Sequence, residues 1–278
     1  MRIPFRGHSI VVEREGTGQP LLLIHGLGTP MIWDRVRGPL SHSFELVIVH
    51  LPGFGSSDPA PIPYSVRDHA LLVESVLESL ALRNAVLAGI SYGAQVAATL
   101  AAMAPERVSA LVLICGSGLM NRYRFLRSAA LFRIVASLAT GLILRNKHAI
   151  RMMSKRLYAD PAKQPEELVR SFHRMMLDKR RRNSWFGCVQ NGAVPDEGFA
   201  GSLSAIRIPT LILWGMDDRV IPVHFAEDFH RRIAGSSLQF LPDCGHALPL
   251  ERPEEMCNAI NTFFKGGAGE GDAVSLNG

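Results

Sequence analysis

Short apolar runs that alternate with helical patterns constrain the fold of this chain more than any other feature of its sequence. Strands that are apolar on both faces and separated by helices form a mostly parallel sheet that helices cover on both sides. The sequence therefore predicts an α/β fold. The predicted strands are Ser9–Glu13, Pro20–His25, Glu45–His50, Asn84–Ile90, Arg107–Cys115, Pro209–Trp214 and Ser237–Leu241, and the predicted helices are Ser65–Leu82, Tyr92–Met103, Pro222–Ile233 and Arg252–Phe264.

The alternation stops between residues 117 and 199, where no strand is predicted. This stretch has 16 Lys and Arg against six Asp and Glu, a net charge of +10, whereas the rest of the chain has 14 against 19, a net of −5. A helical insertion above the carboxyl edge of the sheet would act as a lid. We therefore predict an α/β core of residues 1–116 and 200–265, a helical cap (the cap segment, residues 117–199) and a disordered Gly-rich tail of residues 266–278.

Composition excludes several classes of protein. Of the 278 residues, 47% are hydrophobic and 20% are charged, which argues against a disordered, collagen-like or coiled-coil chain. The apolar, charge-free run Ile134–Leu144 is much shorter than the roughly 20 residues of a membrane-spanning helix. Residues 1–16 lack the apolar region of a signal peptide, and the four cysteines show no CxxC spacing. We expect a cytoplasmic protein with reduced thiols.

A candidate nucleophile lies in the segment Gly89-Ile90-Ser91-Tyr92-Gly93, which matches G-x-S-x-G. The segment joins an apolar strand to a helix, where a nucleophile elbow must be. The glycines allow the strand and the helix to approach closely around a strained serine. The competing interpretation is an ordinary turn in which Ser91 caps the helix.

A serine hydroxyl needs a general base, and the base needs an orienting carboxylate. His246 lies in a Gly-containing loop after the last strand, whereas His224 and His230 fall within a helix and are interpreted as packing or solvated residues. The strand that ends at Trp214 is followed by Asp217 and Asp218, and both fit the role of the acid.

Another common place for the acid, after the strand that ends near Cys115, is empty because no Asp or Glu occurs between Glu106 and Asp160. For the developing oxyanion, the backbone N–H groups of Tyr92 and Leu27 are the predicted donors. His25, two residues before Leu27, is interpreted as a structural residue that bonds the backbone of its own loop.

These motifs together resemble the α/β-hydrolase family over residues 9–265, with the cap segment in the place of that family's variable cap. The resemblance implies Asp218 as the acid, in a Gly-x-x-Asp-x-x-x-Pro pattern that starts at Gly215, and a catalytic set of Ser91, Asp218 and His246 without cofactor or metal. His50 is a departure, because relatives usually carry an Asp there that orders the loop. The motifs are His25–Gly28, Leu51–Ser57, Gly89–Gly93, Trp214–Pro222, Gly245-His246 and Glu251–Pro253.

The resemblance implies a serine hydrolase that cleaves a carboxylic ester or thioester through an acyl-enzyme intermediate. Ser91 argues against halide- or epoxide-cleaving activities, which use Asp as the nucleophile. A carbon–carbon bond hydrolase or lyase with the same triad is an alternative, although such enzymes usually place an aromatic residue where Ala247 stands. A ligand-binding protein with little turnover is a third hypothesis.

The hypotheses about binding partners depend on the charge of the cap segment. Its positive charge favours an anionic or lipid-like small-molecule substrate, or peripheral contact with an anionic membrane. The replacement of Arg122, Arg124 and Arg127 is expected to abolish a preference for anionic esters. The run Lys179–Arg182 is interpreted as the last turn of a helix that starts at Pro165, where basic residues complement the helix dipole, and not as a nucleic-acid site. The sequence does not indicate an oligomeric state.

Overall fold

The computed structural model describes residues 1–119, 141–191 and 198–266, and these residues form one eight-stranded sheet covered by helices. The spatial order is β1-β2-β4-β3-β5-β6-β7-β8. Strands β3 to β8 are parallel to their neighbours, and β1 and β2 add an antiparallel edge. The strands are β1 Arg2–Phe5, β2 His8–Glu15, β3 Gln19–Ile24, β4 Phe44–Val49, β5 Ala85–Ile90, β6 Val108–Ile114, β7 Thr210–Gly215 and β8 Ser237–Leu241.

Ten α-helices lie within the described ranges, and the predicted α/β class is confirmed. Each predicted strand and helix occurs within a few residues of its expected place. The helices are α1 Asp34–Ser41, α2 Val66–Ser79, α3 Tyr92–Met103, α4 Lys147–Ser154, α5 Glu166–Leu177, α6 Lys179–Asn191, α7 Phe199–Leu203, α8 His224–Arg232, α9 Leu248–Glu251 and α10 Pro253–Lys265.

Local chemistry accounts for the element ends. Ser65 caps α2, with its side chain accepting from the Asp68 amide while the Asp68 carboxylate accepts from the Ser65 amide, so the predicted capping box is confirmed. Strand β1 was not predicted. It pairs with β2 through a tight turn in which Arg6 and Gly7 both have positive φ, a conformation that a two-residue hairpin requires.

The strand order reverses beside β3, and this reversal locates the part of the sheet edge where a ligand would bind. From β3 the chain crosses to β4 on one side and then returns to β5 on the other. The loops after β3 and β5 therefore leave in opposite directions and open a crevice between them. Ligands of parallel sheets bind in such crevices, at the carboxyl ends of the strands.

The described part of the cap segment is helical, with α4, α5 and α6 between β6 and β7. The domain boundaries stay a prediction, as does the tail, which apart from residue 266 lies outside the described residues. Residues 122, 124 and 127 also lie outside them. None of the described helices combines the length and the apolar character needed to cross a membrane. All four cysteines are buried and unpaired.

The interpretation of Lys179–Arg182 as the end of a helix was wrong. The helix that begins at Glu166 ends at Leu177, and Lys179 opens α6. Basic residues in a first turn are unfavourable to the helix dipole. The Asp178 carboxylate offsets this by accepting from the backbone N–H groups of Arg180 and Arg181, at 2.8 and 3.1 Å. The break at Asp178 bends the chain back toward the core.

Candidate active site

Ser91 stands in a strained turn between β5 and α3. Its φ of 56° and ψ of −118° lie outside the regions that most L-residues adopt. Its backbone N–H donates to the Ile114 carbonyl at 2.9 Å, and its carbonyl accepts from the Ser117 N–H at 3.1 Å. The side chain makes no capping hydrogen bond. An ordinary capping role therefore does not explain this residue, and the geometry is that of a nucleophile elbow.

The two glycines of the motif are required by close backbone contacts. A Cβ atom at Gly93 would overlap the Ile24 carbonyl oxygen and lie 2.7 Å from that of His25. A Cβ atom at Gly89 would lie 2.5 Å from the backbone nitrogen of Ala94. Strand β5, helix α3 and the end of β3 can therefore meet only where side chains are absent.

The loop after β3 lies directly against the serine. A Cβ atom at Gly26 would lie 3.2 Å from Ser91 Cβ and 3.7 Å from its Oγ. The next residue is Leu27, one of the two predicted oxyanion donors. The other, Tyr92, is the first residue of α3, and the first amides of a helix have no intrahelical acceptor. Both backbone segments thus stand beside Ser91.

The structure brings Asp218 and His246 together. His246 Nδ1 lies 2.7 Å from Asp218 Oδ2, and the Asp218 side chain is fully buried. Asp218 Oδ1 accepts from the N–H groups of Val220 and Ile221 at 2.8 and 2.9 Å. Asp217 is exposed and makes no such contact. A carboxylate accepts from the ring N–H, so this contact assigns the N–H of the His246 tautomer to Nδ1 and the acceptor lone pair to Nε2.

Neighbouring strand ends hold these groups along one edge. The Cys115 N–H, after β6, donates to Leu213 of β7 at 3.0 Å, and the Met216 N–H, after β7, donates to Leu241 of β8 at 3.0 Å. With the Ser91–Ile114 bond, these contacts connect the carboxyl ends of β5, β6, β7 and β8. Ser91, Asp218 and the loop of His246 follow β5, β7 and β8 respectively, so all three lie on this edge.

The sequence reasoning missed the contact of Glu251 with the loop of His246. Its buried carboxylate accepts from the N–H of Gly245 at 2.7 Å and from that of Ala159 at 2.9 Å. The Ala247 N–H also donates to the Leu157 carbonyl at 2.8 Å. The loop of His246 is thereby tied to the cap segment. The signal was present in the quoted Glu251–Pro253 motif, to which no role had been given.

His25 has the structural role that was predicted. Its Nδ1 lies 2.6 Å from the Gly26 carbonyl, and its Nε2 accepts from the Leu51 N–H at 3.1 Å. Burial lowers the pKa of His25 to about 3, so the ring is neutral. Both nitrogens are engaged by backbone groups, which leaves neither for proton transfer.

His50 orders its loop in place of the usual Asp. Its Nδ1 accepts from the Ser56 N–H at 3.1 Å, and its carbonyl accepts from the Ser57 hydroxyl at 2.6 Å. Its Nε2 lies 2.8 Å from a Glu13 oxygen but without the alignment of a hydrogen bond. Burial lowers the pKa of His50. The departure from the family pattern thus preserves the function of the residue in the loop.

One cluster of side chains has the composition of a metal site. One ligand atom from each of Cys115, Asp218 and His246 lies within 4.8 Å of the other two. Burial, and next to it the Asp218 charge, raise the pKa of the Cys115 thiol well above its usual range. A protonated thiol is a poor metal ligand, and His246 Nδ1 is already engaged by Asp218. The cluster fits a hydrogen-bonded acid–base pair better than a metal centre.

A cavity of about 460 Å³ lies between the core and the cap segment, and Gly28, the neighbour of Leu27, is among its lining residues. Its arginines are neutralised or engaged: Arg37 pairs with Glu13 and Glu15, and Arg181 donates to the Gly55 carbonyl at 2.8 Å. Neither Ser91, Asp218 nor His246 lines it. The candidate active site is therefore assigned from the chemistry of the sheet edge and not from this cavity.

The mostly parallel sheet, with a serine in a strained turn at its carboxyl edge, places this fold among the α/β enzymes. The model of a family described as the alpha/beta hydrolase family matches residues 21–259. The chain therefore belongs to the α/β-hydrolase family and is a hydrolase.

Individual relatives cover nearly the whole chain. Monoacylglycerol lipase abhd6-B of Xenopus laevis is 28% identical over 90% of this chain and 77% of its own length. The 2-hydroxy-6-oxo-6-(2'-aminophenyl)hexa-2,4-dienoic acid hydrolase of Metapseudomonas resinovorans is 26% identical over 90% of this chain and 85% of its own. Among solved structures, a bacterial membrane phospholipase A is similar with a TM-score of 0.80 and 28% identity, over 96% of this chain and 85% of that one.

Proposed function

We propose that this hydrolase cleaves carboxylic esters or thioesters through an acyl-enzyme intermediate on Ser91. The observation that carries the proposal is the 2.7 Å hydrogen bond between Asp218 and His246, on the sheet edge where the elbow presents Ser91. A buried carboxylate that orients a histidine, on the sheet edge that also carries a strained serine, is the arrangement from which a hydroxyl is activated for acyl transfer.

In the first half of the reaction, His246 Nε2 takes the proton from the Ser91 hydroxyl as Oγ attacks the substrate carbonyl carbon. Asp218 holds the imidazole and stabilises the imidazolium that forms. The carbonyl oxygen becomes an oxyanion and accepts from the N–H groups of Leu27 and Tyr92. The tetrahedral intermediate then collapses, and His246 protonates the departing alcohol or thiol.

The second half of the reaction repeats these roles with water. His246 removes a proton from the water as its oxygen attacks the acyl carbon, and Ser91 leaves with the proton that His246 returns. The free acid is released. Every proton transfer is carried by the chain's own His246, so these steps need no cofactor.

The relatives favour lipid-like esters. A monoacylglycerol and a phospholipid are both esters of long-chain acids, and both occur in the names of relatives that this chain matches at 28% identity. The described part of the cap segment, residues 141–191, carries 12 Lys and Arg against four Asp and Glu. We propose from this charge that anionic substrates, or an anionic membrane surface that supplies them, are preferred.

A carbon–carbon bond hydrolase is the second candidate. The Metapseudomonas relative is named for a 2-hydroxy-6-oxo dienoic acid, a compound without an ester bond, so its hydrolysis must break a carbon–carbon bond. The same serine, acid and histidine serve both reactions. Ala247 in place of the usual aromatic residue favours the ester.

A fluorophosphonate probe tests the nucleophile. We expect the wild-type protein to be labelled at Ser91, and the variant Ser91→Ala, checked for folding by its melting temperature, to be unlabelled. A folded wild-type protein without labelling would contradict the proposal and would support a binding protein with little turnover.

A substrate panel then separates the two chemistries. We expect turnover of p-nitrophenyl esters or acyl thioesters, with faster turnover of anionic members than of neutral ones of the same acyl length. Turnover of a 2-hydroxy-6-oxo dienoic acid, without turnover of the esters, would contradict the ester proposal and support the carbon–carbon alternative.

A further inference from the structure

One helix of the cap segment contacts both residues that are proposed to bind the oxyanion. The indole Nε1–H of Trp185, in α6, donates to the Leu27 carbonyl at 3.0 Å. The Cys188 side chain, three residues later, lies beside the Tyr92 hydroxyl. Residues three apart lie on the same face of a helix. A single face of α6 therefore reaches the backbone carbonyl of Leu27 and the side chain of Tyr92, the two residues proposed to bind the oxyanion.

We propose that α6 sets the geometry of the oxyanion hole and that Trp185 is its principal positioning residue. The inference rests on the proposed function, because it concerns the same site. The cap would thus act in the chemical step, by holding two backbone amides in place, as well as in substrate access.

The loop that Trp185 holds needs an external restraint. Leu27 lies between Gly26 and Gly28, and glycine adopts many backbone conformations at little cost. The Leu27 carbonyl belongs to the peptide that follows the proposed donor. A hydrogen bond to this carbonyl restricts the rotation of Leu27 and so fixes the direction of its own N–H. Oxyanion stabilisation depends on donors that are aimed before the reaction begins.

Trp185 is itself held in place by aromatic neighbours. Its ring packs edge-to-face against Phe172 of α5, with centroids 6.2 Å apart, and against Phe186, at 5.2 Å. These contacts fix the indole independently of its hydrogen bond. A phenylalanine at this position would therefore keep much of the ring packing and lose only the donor.

The second contact acts on Tyr92 from the side chain. The Tyr92 hydroxyl lies 2.6 Å from His69 Nδ1, which belongs to helix α2 of the core. Tyr92 is buried, and its hydroxyl lies beside both His69 of the core and Cys188 of the cap segment. A displacement of α6 would consequently disturb both proposed donors at once.

Ser184 provides a matched control within the same helix. Its hydroxyl is 2.8 Å from the Tyr64 hydroxyl, another hydrogen bond between α6 and the core. Ser184→Ala removes this bond without a contact to Leu27 or Tyr92. Trp185→Phe and Ser184→Ala thus each cost α6 one hydrogen bond to the core, and only the first acts on the proposed oxyanion hole.

The test compares these two variants with the wild-type enzyme on one p-nitrophenyl ester. For Trp185→Phe we expect kcat to fall at least tenfold while KM changes less than threefold. The affinity for a trifluoromethyl ketone, which forms an oxyanion with Ser91, should fall by a similar factor, and the affinity for the product acid should not. The pH profile of kcat/KM should keep its shape, because Asp218 and His246 are untouched. Ser184→Ala should stay within twofold in kcat.

An unchanged kcat in Trp185→Phe would overturn the inference, and so would an equal loss in Ser184→Ala, which would show that only the attachment of the cap matters. If Trp185→Phe does not fold, Phe172→Leu replaces it, because this variant removes the edge-to-face contact that holds the indole and keeps the indole N–H. A fall in kcat and in ketone affinity, with unchanged affinity for the product acid, supports the inference, and unchanged values contradict it. A wild-type enzyme that fluorophosphonate labels, with unaffected variants, contradicts this inference alone, whereas an unlabelled one contradicts both proposals.

Discussion

At the edge of the sheet, Ser91 and the residues around it are fixed by backbone hydrogen bonds between neighbouring strand ends, whereas helix α6 of the cap segment is held by side chains that reach into loops. The Ser91 N–H bonds to Ile114 and the Cys115 N–H to Leu213. By contrast, Asn191 donates to the Pro63 carbonyl and Ser184 contacts the Tyr64 hydroxyl through side chains alone.

The difference teaches which part of the molecule tolerates change. The backbone contact between Gly93 of α3 and the end of β3 leaves no room for a side chain, because a single Cβ at Gly93 would overlap a carbonyl oxygen. A side-chain contact can be lost while the helix stays in place, since each net hydrogen bond contributes only about 0.5–1.5 kcal/mol. We therefore expect variants at the sheet edge to have large effects and single variants of the cap contacts to have smaller ones.

The largest effect is expected from Asp218→Asn, which retains the shape of the side chain but cannot accept the Nδ1–H of His246 in the same way. Loss of the correct tautomer should reduce kcat by about 10³–10⁴. Ester turnover by the purified variants measures the effect. The control is Asp217→Asn, which changes the exposed neighbouring carboxylate, and its kcat should stay within twofold. Similar losses in the two variants would break the distinction between the edge groups and the surface.

Gly93→Ala tests the backbone contact directly. The added methyl group meets carbonyl oxygens of β3 and its loop that cannot move independently, and overpacking of this kind costs about 1–3 kcal/mol or more. Urea unfolding should show this loss in the free energy of unfolding. The matched control is Gly201→Ala in α7, where an added Cβ meets nothing within 4 Å. A wild-type stability for Gly93→Ala would contradict the close approach.

The pH dependence of stability tests two buried histidines near this edge. His25 follows β3, and His69 of α2 contacts the Tyr92 hydroxyl. Burial lowers the pKa of His69 to about 4 and that of His25 to about 3, below the value of about 6.5 in an unfolded chain. The unfolded state therefore binds more protons below pH 6.5, and stability should fall as the pH decreases from 6.5 toward 4. Each histidine should contribute about 2 kcal/mol to the loss between pH 7 and 5.

The variant His69→Gln should remove one share of this pH dependence, as measured by urea unfolding at pH 7 and pH 5. His42→Gln, which removes an exposed imidazole, controls for the loss of a titrating group from the unfolded chain. If both variants lose stability between pH 7 and 5 as steeply as the wild-type protein, the lowered pKa of the buried His69 is not a source of the pH dependence.

The places of the core strands and of Ser91 could be read from the sequence because they depend on local pattern. A strand buried on both faces must be apolar throughout, as Ala85–Ile90 is, and a serine between such a strand and a small-residue helix must occupy the turn between them. Short edge elements were harder. Strand Arg2–Phe5 has few buried residues, and its identity depends on pairing with β2.

The break at Asp178 shows the limit of local reasoning in the cap segment. Helical periodicity is compatible with one long helix from Glu166 through Arg182, and the dipole argument for it was sound in itself. The chain instead turns at Asp178, so that Arg181 can donate to the Gly55 carbonyl and Trp185 to that of Leu27. These partners are more than 100 residues away, and a local pattern does not register them.

The sequence by itself determined the α/β class, the elbow at Ser91 and the short set of candidates for its partners, because strand burial and glycine spacing are properties of neighbouring residues. From the residues alone both Asp217 and Asp218 fitted, and the family resemblance pointed to Asp218. Only the tertiary structure put Asp218 in contact with His246, gave Glu251 its contact with the loop of that histidine, and seated Trp185 on Leu27. Each of these depends on the distance between groups far apart in the chain, which is decided when the strands align and the cap docks on their ends.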